Sequence, residues 1–409
     1  MKSFDVLIVG GGLVGATLAL GLGQLGLSVA LVEAHSVTPD ATVEKGFFDD
    51  RSIALSHGTR NILSRLGLWK DFASQVTPIH KIHISDRGHF GFARLCAKQE
   101  QVPALGYVIE SRVMGSILQS KIPQSKGITF FCPWKLASLT IGDDCVSAQL
   151  EQEAVTQTIE AKLLLVADGA HSHTRDLLGV AHQQVDFGQT AVIANVSVNQ
   201  SHKNTAYERF TETGPLALLP FGENRCALVW TVRAAQAEQM LQWDDAFFLE
   251  KLQQQFGSRL GRLQQIGKRS LFPLEMIRVS QTVGNRWVII GNAAHTLHPV
   301  AGQGFNLGMR DIDRLTRVLA ARDRFEQNIA HPELLAWYQQ QCKPDYQQMQ
   351  WITEGLVQTF SHSFAPVVLL RDAGLLGLDF LPMAKHWLAG KMMGFPAGSQ
   401  ALPRKEKLA

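Results

Sequence analysis

Apolar positions recur with two different periods along the chain, and their order predicts the architecture. Phe4 to Val9 is a short apolar run, broken only by Asp5 and closed by glycine, as suits a buried parallel strand. Leu13 to Leu25 is rich in alanine and leucine and stops at Gly26, which predicts a helix with a glycine at its C-cap. Leu27 to Val32 is the next strand and ends at Glu33, so the chain opens with a βαβ unit. Two more strand-to-turn junctions lie far downstream. Lys162 to Ala167 runs into Asp168-Gly169, and Trp287 to Ile290 runs into Gly291-Asn292. Between them, over residues 183–275, alternation takes over: Leu216 to Leu219 and Cys226 to Thr231 read as antiparallel strands between turns. After residue 330 the period turns helical, with Met349, Ile352, Leu356 and Phe360 at helical spacing.

The expected fold is α/β. An α/β domain opened by the βαβ unit is interrupted by a mixed, largely antiparallel domain and followed by a C-terminal helical region. The predicted division gives residues 1–75, 103–182 and 276–330 to the first domain, 76–102 and 183–275 to the second, and 331–409 to the helical region. No internal repeat or low-complexity segment interrupts this order.

Chemistry gathers at the three junctions. Gly10-Gly11-Gly12-Leu13-Val14-Gly15 is a G-x-G-x-x-G directly after a strand and opening a helix. Gly10 permits the tight turn, Gly12 lets backbone approach a pyrophosphate, and Gly15 lets helix and strand pack closely. The helix N-terminus offers unpaired amides to phosphates, and Glu33 stands where an acidic side chain bonds a ribose hydroxyl. That pattern predicts dinucleotide binding without separating FAD from NAD. The second junction, Ala167 to Arg175, reads equally as a plain strand-to-helix connection with an Asp-Gly turn and a Ser172 or Thr174 cap. The third, Gly291 to His295 followed by Pro299 to Asn306, combines small residues after a strand with a glycine-punctuated loop. A helix is predicted to open near Gly304, with its amides facing whatever lies there.

Composition narrows the class. With 409 residues the prior is two or three domains of roughly 150 residues each. Apolar types at 45% and charged types at 18% exclude disordered and fibrous classes. A net charge of +3 argues against a dedicated nucleic-acid binder. Cys96, Cys132, Cys145, Cys226 and Cys342 are scattered with no C-x-x-C pair, as reduced cytosolic thiols would be. No H-E-x-x-H occurs, and His171-Ser172-His173 has no nearby cysteine or further histidine to complete a site, so no metal is expected. Asp5 interrupts the N-terminal apolar run too early for a signal peptide. The late apolar region Phe364 to Leu388 carries Arg371, Asp372, Asp379 and Lys385, too many charges for a simple span.

Taken in order, the three motifs resemble those of the flavin-dependent aromatic hydroxylases, the single-component FAD monooxygenases, over nearly the whole chain. The likeness is closest to the ubiquinone-biosynthesis branch, through Asp49 to Leu55, Ser85 to His89, Glu208 to Thr211 and Gly291 to Asp311. Asn292 stands where the wider family has an aspartate on the ribityl chain, and this branch is similar to the chain in carrying asparagine there. An acceptor oxygen is retained. The resemblance implies that the Rossmann-like domain binds FAD and that the interrupting domain binds substrate. NAD(P)H would be the electron donor, and a polyprenyl methoxyphenol would be hydroxylated by oxygen through a flavin peroxide. It further implies that Gly10, Gly12, Gly15 and Glu33 hold the adenosine diphosphate part. Arg51 would approach the ribityl and pyrophosphate region and Arg112 the adenine end. Asp168 and Gly169 would lie near the pyrophosphate, and Asn292, Gly302, Gly304, Phe305 and Asn306 would face the ribityl chain and ring.

His298 and Pro299 are the expected catalytic positions. His298, like His295, either helps deprotonate a phenol or steadies the loop by hydrogen bonding, the second being favoured. Pro299 is expected to shape the loop against the ring. Three other readings stay open: a hydroxylase of another phenolic ubiquinone precursor or small aromatic, a flavin- or NAD-linked dehydrogenase, and a non-catalytic flavin-fold subunit of a biosynthetic complex. The His298-Pro299 segment and the lack of a second glycine fingerprint speak against the dehydrogenase. A cytoplasmic location is expected. Peripheral contact with the inner membrane, or a ubiquinone-biosynthesis complex, would be the route to a polyprenyl substrate. The stretch from Phe360 through Val367, Leu370, Leu375, Leu378, Leu381 and Trp387, with Arg371, Lys385 and Lys391 interspersed, suits an interfacial segment as well as a cover over the FAD domain.

Overall fold

A computed structural model describes residues 2–36, 51–296, 303–361, 377 and 381–395. The first eight-stranded sheet has a parallel heart in the order Trp287–Ile289, Val155–Val166, Lys2–Val9, Val29–Val32, Ile128–Phe131. Because both faces are covered, these strands carry continuous apolar runs: Val6, Leu7, Ile8 and Leu163 to Val166 are all buried. One face packs on the helices Leu13–Gln24 and Gln303–Ala320 through Leu18, Leu22, Leu315 and Leu319. The other face packs Leu7, Val9, Leu164 and Val166 against an antiparallel extension, Lys135–Ile141 and Val146–Gln152, through Leu136, Val146 and Leu150.

The second sheet has nine strands and is antiparallel apart from one junction, where Thr205–Thr211 runs parallel to Lys81–Asp86. Its path begins at His295–Thr296 and passes through Ser270–Val279, His182–Val198, Arg225–Arg233 and Gly214–Phe221 before that junction. Alternation gives it two unlike faces. Val192, Ala194, Leu216, Leu218, Leu228 and Trp230 are buried with the helices Ala234–Gln242 and Asp245–Phe256. Their neighbours Ile193, Ala217, Leu219 and Val229 point the other way and stay half-buried. A small third sheet joins Ser52–Ser56, Gly106–Glu110 and Thr77–Ile79.

The helix Gln303–Ala320 is held to the following helix, Pro332–Ser361, by a buried ion triad. Asp345 Oδ2 accepts from Arg310 Nε at 2.7 Å and from Arg314 Nη2 at 2.6 Å. Burial alone would raise the Asp345 carboxyl, but the two guanidiniums outweigh it and hold it below the ordinary carboxylate value. A depressed folded value means that the stabilisation is complete above the unfolded value, near about 4, and is lost as pH falls through the folded one. Asp345→Ala is therefore expected to cost about 3–5 kcal/mol at pH 7, since it leaves two buried cations without their partner. Urea unfolding across pH should show the gap to wild type shrinking only below the ordinary carboxylate range.

Candidate functional site

The three predicted turns arrive at one edge because their strands are neighbours. Val9 is opposite Val166, and Val166 is opposite Ile289. Each strand hands its following turn to the C-terminal edge of the parallel sheet, where ligands settle in folds of this kind. Side-chain contacts then lock the turns together. A Cβ on Gly291 would lie 3.2 Å from Val14 Cγ1, so the helix of the first turn packs directly on the third. Arg175 Nη1 donates to the Ala170 carbonyl at 3.1 Å and the Ala293 carbonyl at 3.2 Å, tying the second turn to the third. Ser172 caps the short helix His173–Leu177 by accepting the Arg175 amide at 3.0 Å.

The first turn leaves no room for side chains except at one position. Gly10 has φ +103°, and a Cβ there would come within 2.5 Å of the Ala167 carbonyl oxygen. A Cβ on Gly15 would come within 1.8 Å of the Gly10 carbonyl oxygen. Gly12 differs: it caps the helix without a side-chain bond, no acidic residue follows in the first turn, and nothing lies within 4 Å of its would-be Cβ. Open space before an uncapped helix N-terminus fits a pyrophosphate. Glu33 is buried beside it, accepting the Gly11 amide at 2.8 Å and the His35 amide at 2.8 Å. Asp168 Oδ2 accepts the Thr174 amide at 3.0 Å, while Oδ1 is buried without a partner and would suit a ligand donor. Gly169, at φ +90°, has open space on its Cβ side.

At the third turn Asn292 is exposed, and a Cβ on Gly304 would stand 4.0 Å from its Oδ1. Phe305 is half-buried against the core. The Asn306 side chain is engaged in the scaffold. Its Oδ1 accepts from the Ser56 amide at 2.8 Å and Thr59 Oγ1 at 2.7 Å, and its Nδ2 donates to the Ala54 carbonyl at 2.9 Å. Arg51 and Arg112 share one end of the small sheet, where the Ser111 amide donates to the Arg51 carbonyl at 2.8 Å. The Arg51 guanidinium lies 4.2 Å from the ring centre of Phe272 in the second sheet, and Arg112 Nη2 is 3.2 Å from Glu110 Oε2. His298, Pro299 and Gly302 lie outside the described residues. His295 is buried, with Nε2 2.8 Å from Asp311 Oδ2.

The model of the FAD-binding domain family matches residues 3–351. The chain belongs to that family. FAD is its cofactor, and the open cradle at Gly12 accords with it. This family member is 34% identical over 393 residues to the ubiquinone hydroxylase UbiL of Rhodospirillum rubrum, spanning 96% of this chain and 90% of the relative. It is 31% identical over 377 residues to the 3-demethoxyubiquinol 3-hydroxylase of Escherichia coli, spanning 92% and 94%. Its fold is similar to that of p-nitrophenol 4-monooxygenase PnpA from Pseudomonas putida, with TM-score 0.78 and 17% identity over 96% and 99% of the two chains.

Three residues of this FAD-binding protein escaped the sequence reading. Val14 and Arg175 lie inside quoted motifs, where nothing in the spacing says that they bridge turns. Asp311 had a signal: it shares the spacing of Leu307 and Leu315, so a carboxylate stands on an apolar helical stripe.

Gly12→Val is expected to keep the fold, since no protein atom opposes it, and to weaken FAD on the order of 100-fold. Gly15→Val is expected to cost about 3 kcal/mol or more in stability, because backbone opposes it. Flavin absorbance and thermal melts on the same preparations separate the two effects. Asn292→Asp should retain FAD to within about threefold, since both side chains present an acceptor oxygen. Flavin release on dilution measures this.

Proposed function

We propose that the chain is an FAD-dependent monooxygenase that hydroxylates a polyprenyl methoxyphenol on the route to ubiquinone. The observation that carries the substrate class is the half-buried face of the second sheet. Register sets Ile193 opposite Val229 and Val229 opposite Ala217, giving an apolar row beside Leu219. Phe272 lies opposite Ala191 in the adjoining strand, under Arg51. The same sheet begins at His295–Thr296, two residues after the turn that carries Asn292. An apolar face on the sheet whose edge strand follows that turn suits an aromatic ring with a hydrocarbon tail, each buried CH₂ of which gains about 0.8 kcal/mol.

The proposed division of labour follows the sheets: residues 1–75, 103–182 and 276–330 hold FAD, while 76–102 and 183–275 supply the apolar face. Bound FAD, reduced by NAD(P)H, supplies the oxygen chemistry. The protein's part is to hold and shield. Gly10, Gly12, Gly15 and Glu33 bind the adenosine diphosphate end, with Arg51, Arg112, Asp168 and Gly169 around it. Asn292, Gly302, Gly304, Phe305 and Asn306 line the flavin end. His298 and Pro299 shape the loop over the ring, with His298 the candidate proton acceptor for the phenol.

Among the described residues no helix is long and apolar enough to cross a membrane. Peripheral contact, with an inner membrane or a biosynthetic complex, is the route we propose for the substrate. Support comes from the last described helix, Pro382–Met392, where Met383 is 87% exposed and Trp387 52%, and from Leu381 just before it, 60% exposed. Phe360 has no described side chain, and Val367, Leu370, Arg371, Leu375 and Leu378 lie outside the described residues.

The test is NAD(P)H oxidation and product analysis with long-tailed and tail-free methoxyphenols. The long-tailed substrate is expected to show at least about tenfold higher kcat/KM. Equal turnover of both would remove the polyprenyl assignment and leave the hydroxylase. Substitution of Val229 by Asp should abolish the preference without releasing FAD.

A further inference from the structure

The mechanism proposed above leaves one fully buried carboxylate unused. Asp311, in the third turn of the helix Gln303–Ala320, receives three donors. Its Oδ2 accepts the Gly291 amide at 3.1 Å and lies 2.8 Å from His295 Nε2. Its Oδ1 accepts the Tyr346 hydroxyl at 2.7 Å. Gly291 and His295 bracket Asn292, so one carboxylate clamps both ends of the segment that presents the amide side chain. Gly291 has φ +60°, a conformation that the clamp and the packing of Val14 hold in place.

We propose that Asp311 is the positioning residue of the cofactor turn, setting the orientation of Asn292 towards FAD by holding Gly291 and His295 together. This rests on the reading of Asn292 as a flavin contact. A carboxylate can accept from all three groups; an amide could accept from Gly291 and His295 on its oxygen and donate its NH₂ to the Tyr346 hydroxyl oxygen, so Asp311→Asn keeps the clamp and Asp311→Ala removes it. The contact also assigns the imidazole. With Nε2–H directed at Asp311, Nδ1 of the same ring is buried without a partner. Tyr346 secures the clamp from the Pro332–Ser361 helix, its ring 4.5 Å from the imidazole. Burial and the adjacent Asp311 charge push the Tyr346 hydroxyl well above its ordinary value, so it stays a donor.

The experiment uses the full-length holoprotein. Serial dilution, followed by the fluorescence of released flavin, gives the FAD dissociation constant. Visible circular dichroism reports how the bound flavin sits, and melts at saturating FAD report stability. Asp311→Ala is expected to weaken FAD about tenfold or more, equivalent to about 1.4 kcal/mol, and to alter the visible dichroism, while Asp311→Asn should stay within about threefold of wild type. His295→Ala should do the same as Asp311→Ala. His295→Gln, whose amide N–H can reach Asp311 from a similar place, should return the affinity to within about threefold of wild type. If Asp311→Ala and His295→Ala lower only the melting temperature, leaving FAD affinity and dichroism unchanged, the carboxylate merely supports the core and the proposal fails. Wild-type protein that binds no FAD would overturn the reading of the site itself, and the proposal with it.

Discussion

Everything at the candidate site depends on the parallel pairing of three strands that end at the same level. Hydrogen bonds along Lys2–Val9, Val155–Val166 and Trp287–Ile289 fix where each chain leaves the sheet. The turns that follow must share a small volume, and they do so by giving up side chains. Gly10 and Gly15 pass against neighbouring backbone at distances no Cβ could tolerate. The loss of side chains is what leaves the helix amides accessible, so packing and phosphate recognition are one constraint.

The two large sheets are joined by few elements, and these carry more than packing. Arg51 reaches from the strand end before Ser52 to the face of Phe272. His295–Thr296 adds a short strand to the edge of the second sheet through the pairs with Arg278 and Ile277. The buried triad of Arg310, Arg314 and Asp345 fixes the helix behind the third turn to the helix that follows it. Rigid support thus lies behind the turn, while the connection to the second sheet lies in front of it.

The local parts of this arrangement were legible in the sequence. A strand, a glycine turn, a helix and an acidic residue are all set by neighbours within one βαβ unit, so pattern and geometry agree from Phe4 to Glu33. Antiparallel strands in the middle of the chain were legible for the same reason, through alternation. Pairings between distant segments were not. Nothing in Lys81–Asp86 says that it runs parallel to Thr205–Thr211, because register between remote strands is decided by the closed core. Side-chain direction was equally hidden. Asn306 reads as a ligand residue in a glycine loop, yet its amide group bonds Ala54, Ser56 and Thr59, which the chain brings near only after folding. Asp311 was visible as a charge on an apolar stripe, but its donors come from three other elements.

The short strand His295–Thr296 ties two surfaces into one mechanical object. It is paired to the sheet that offers the apolar face, and it directly follows the turn of Gly291 to Ala293. Its partners Ile277 and Arg278 belong to Ser270–Val279, the same strand that carries Phe272 five residues earlier. One strand thus serves both places: a deletion in it would alter the register at the apolar row and at the segment after the turn together.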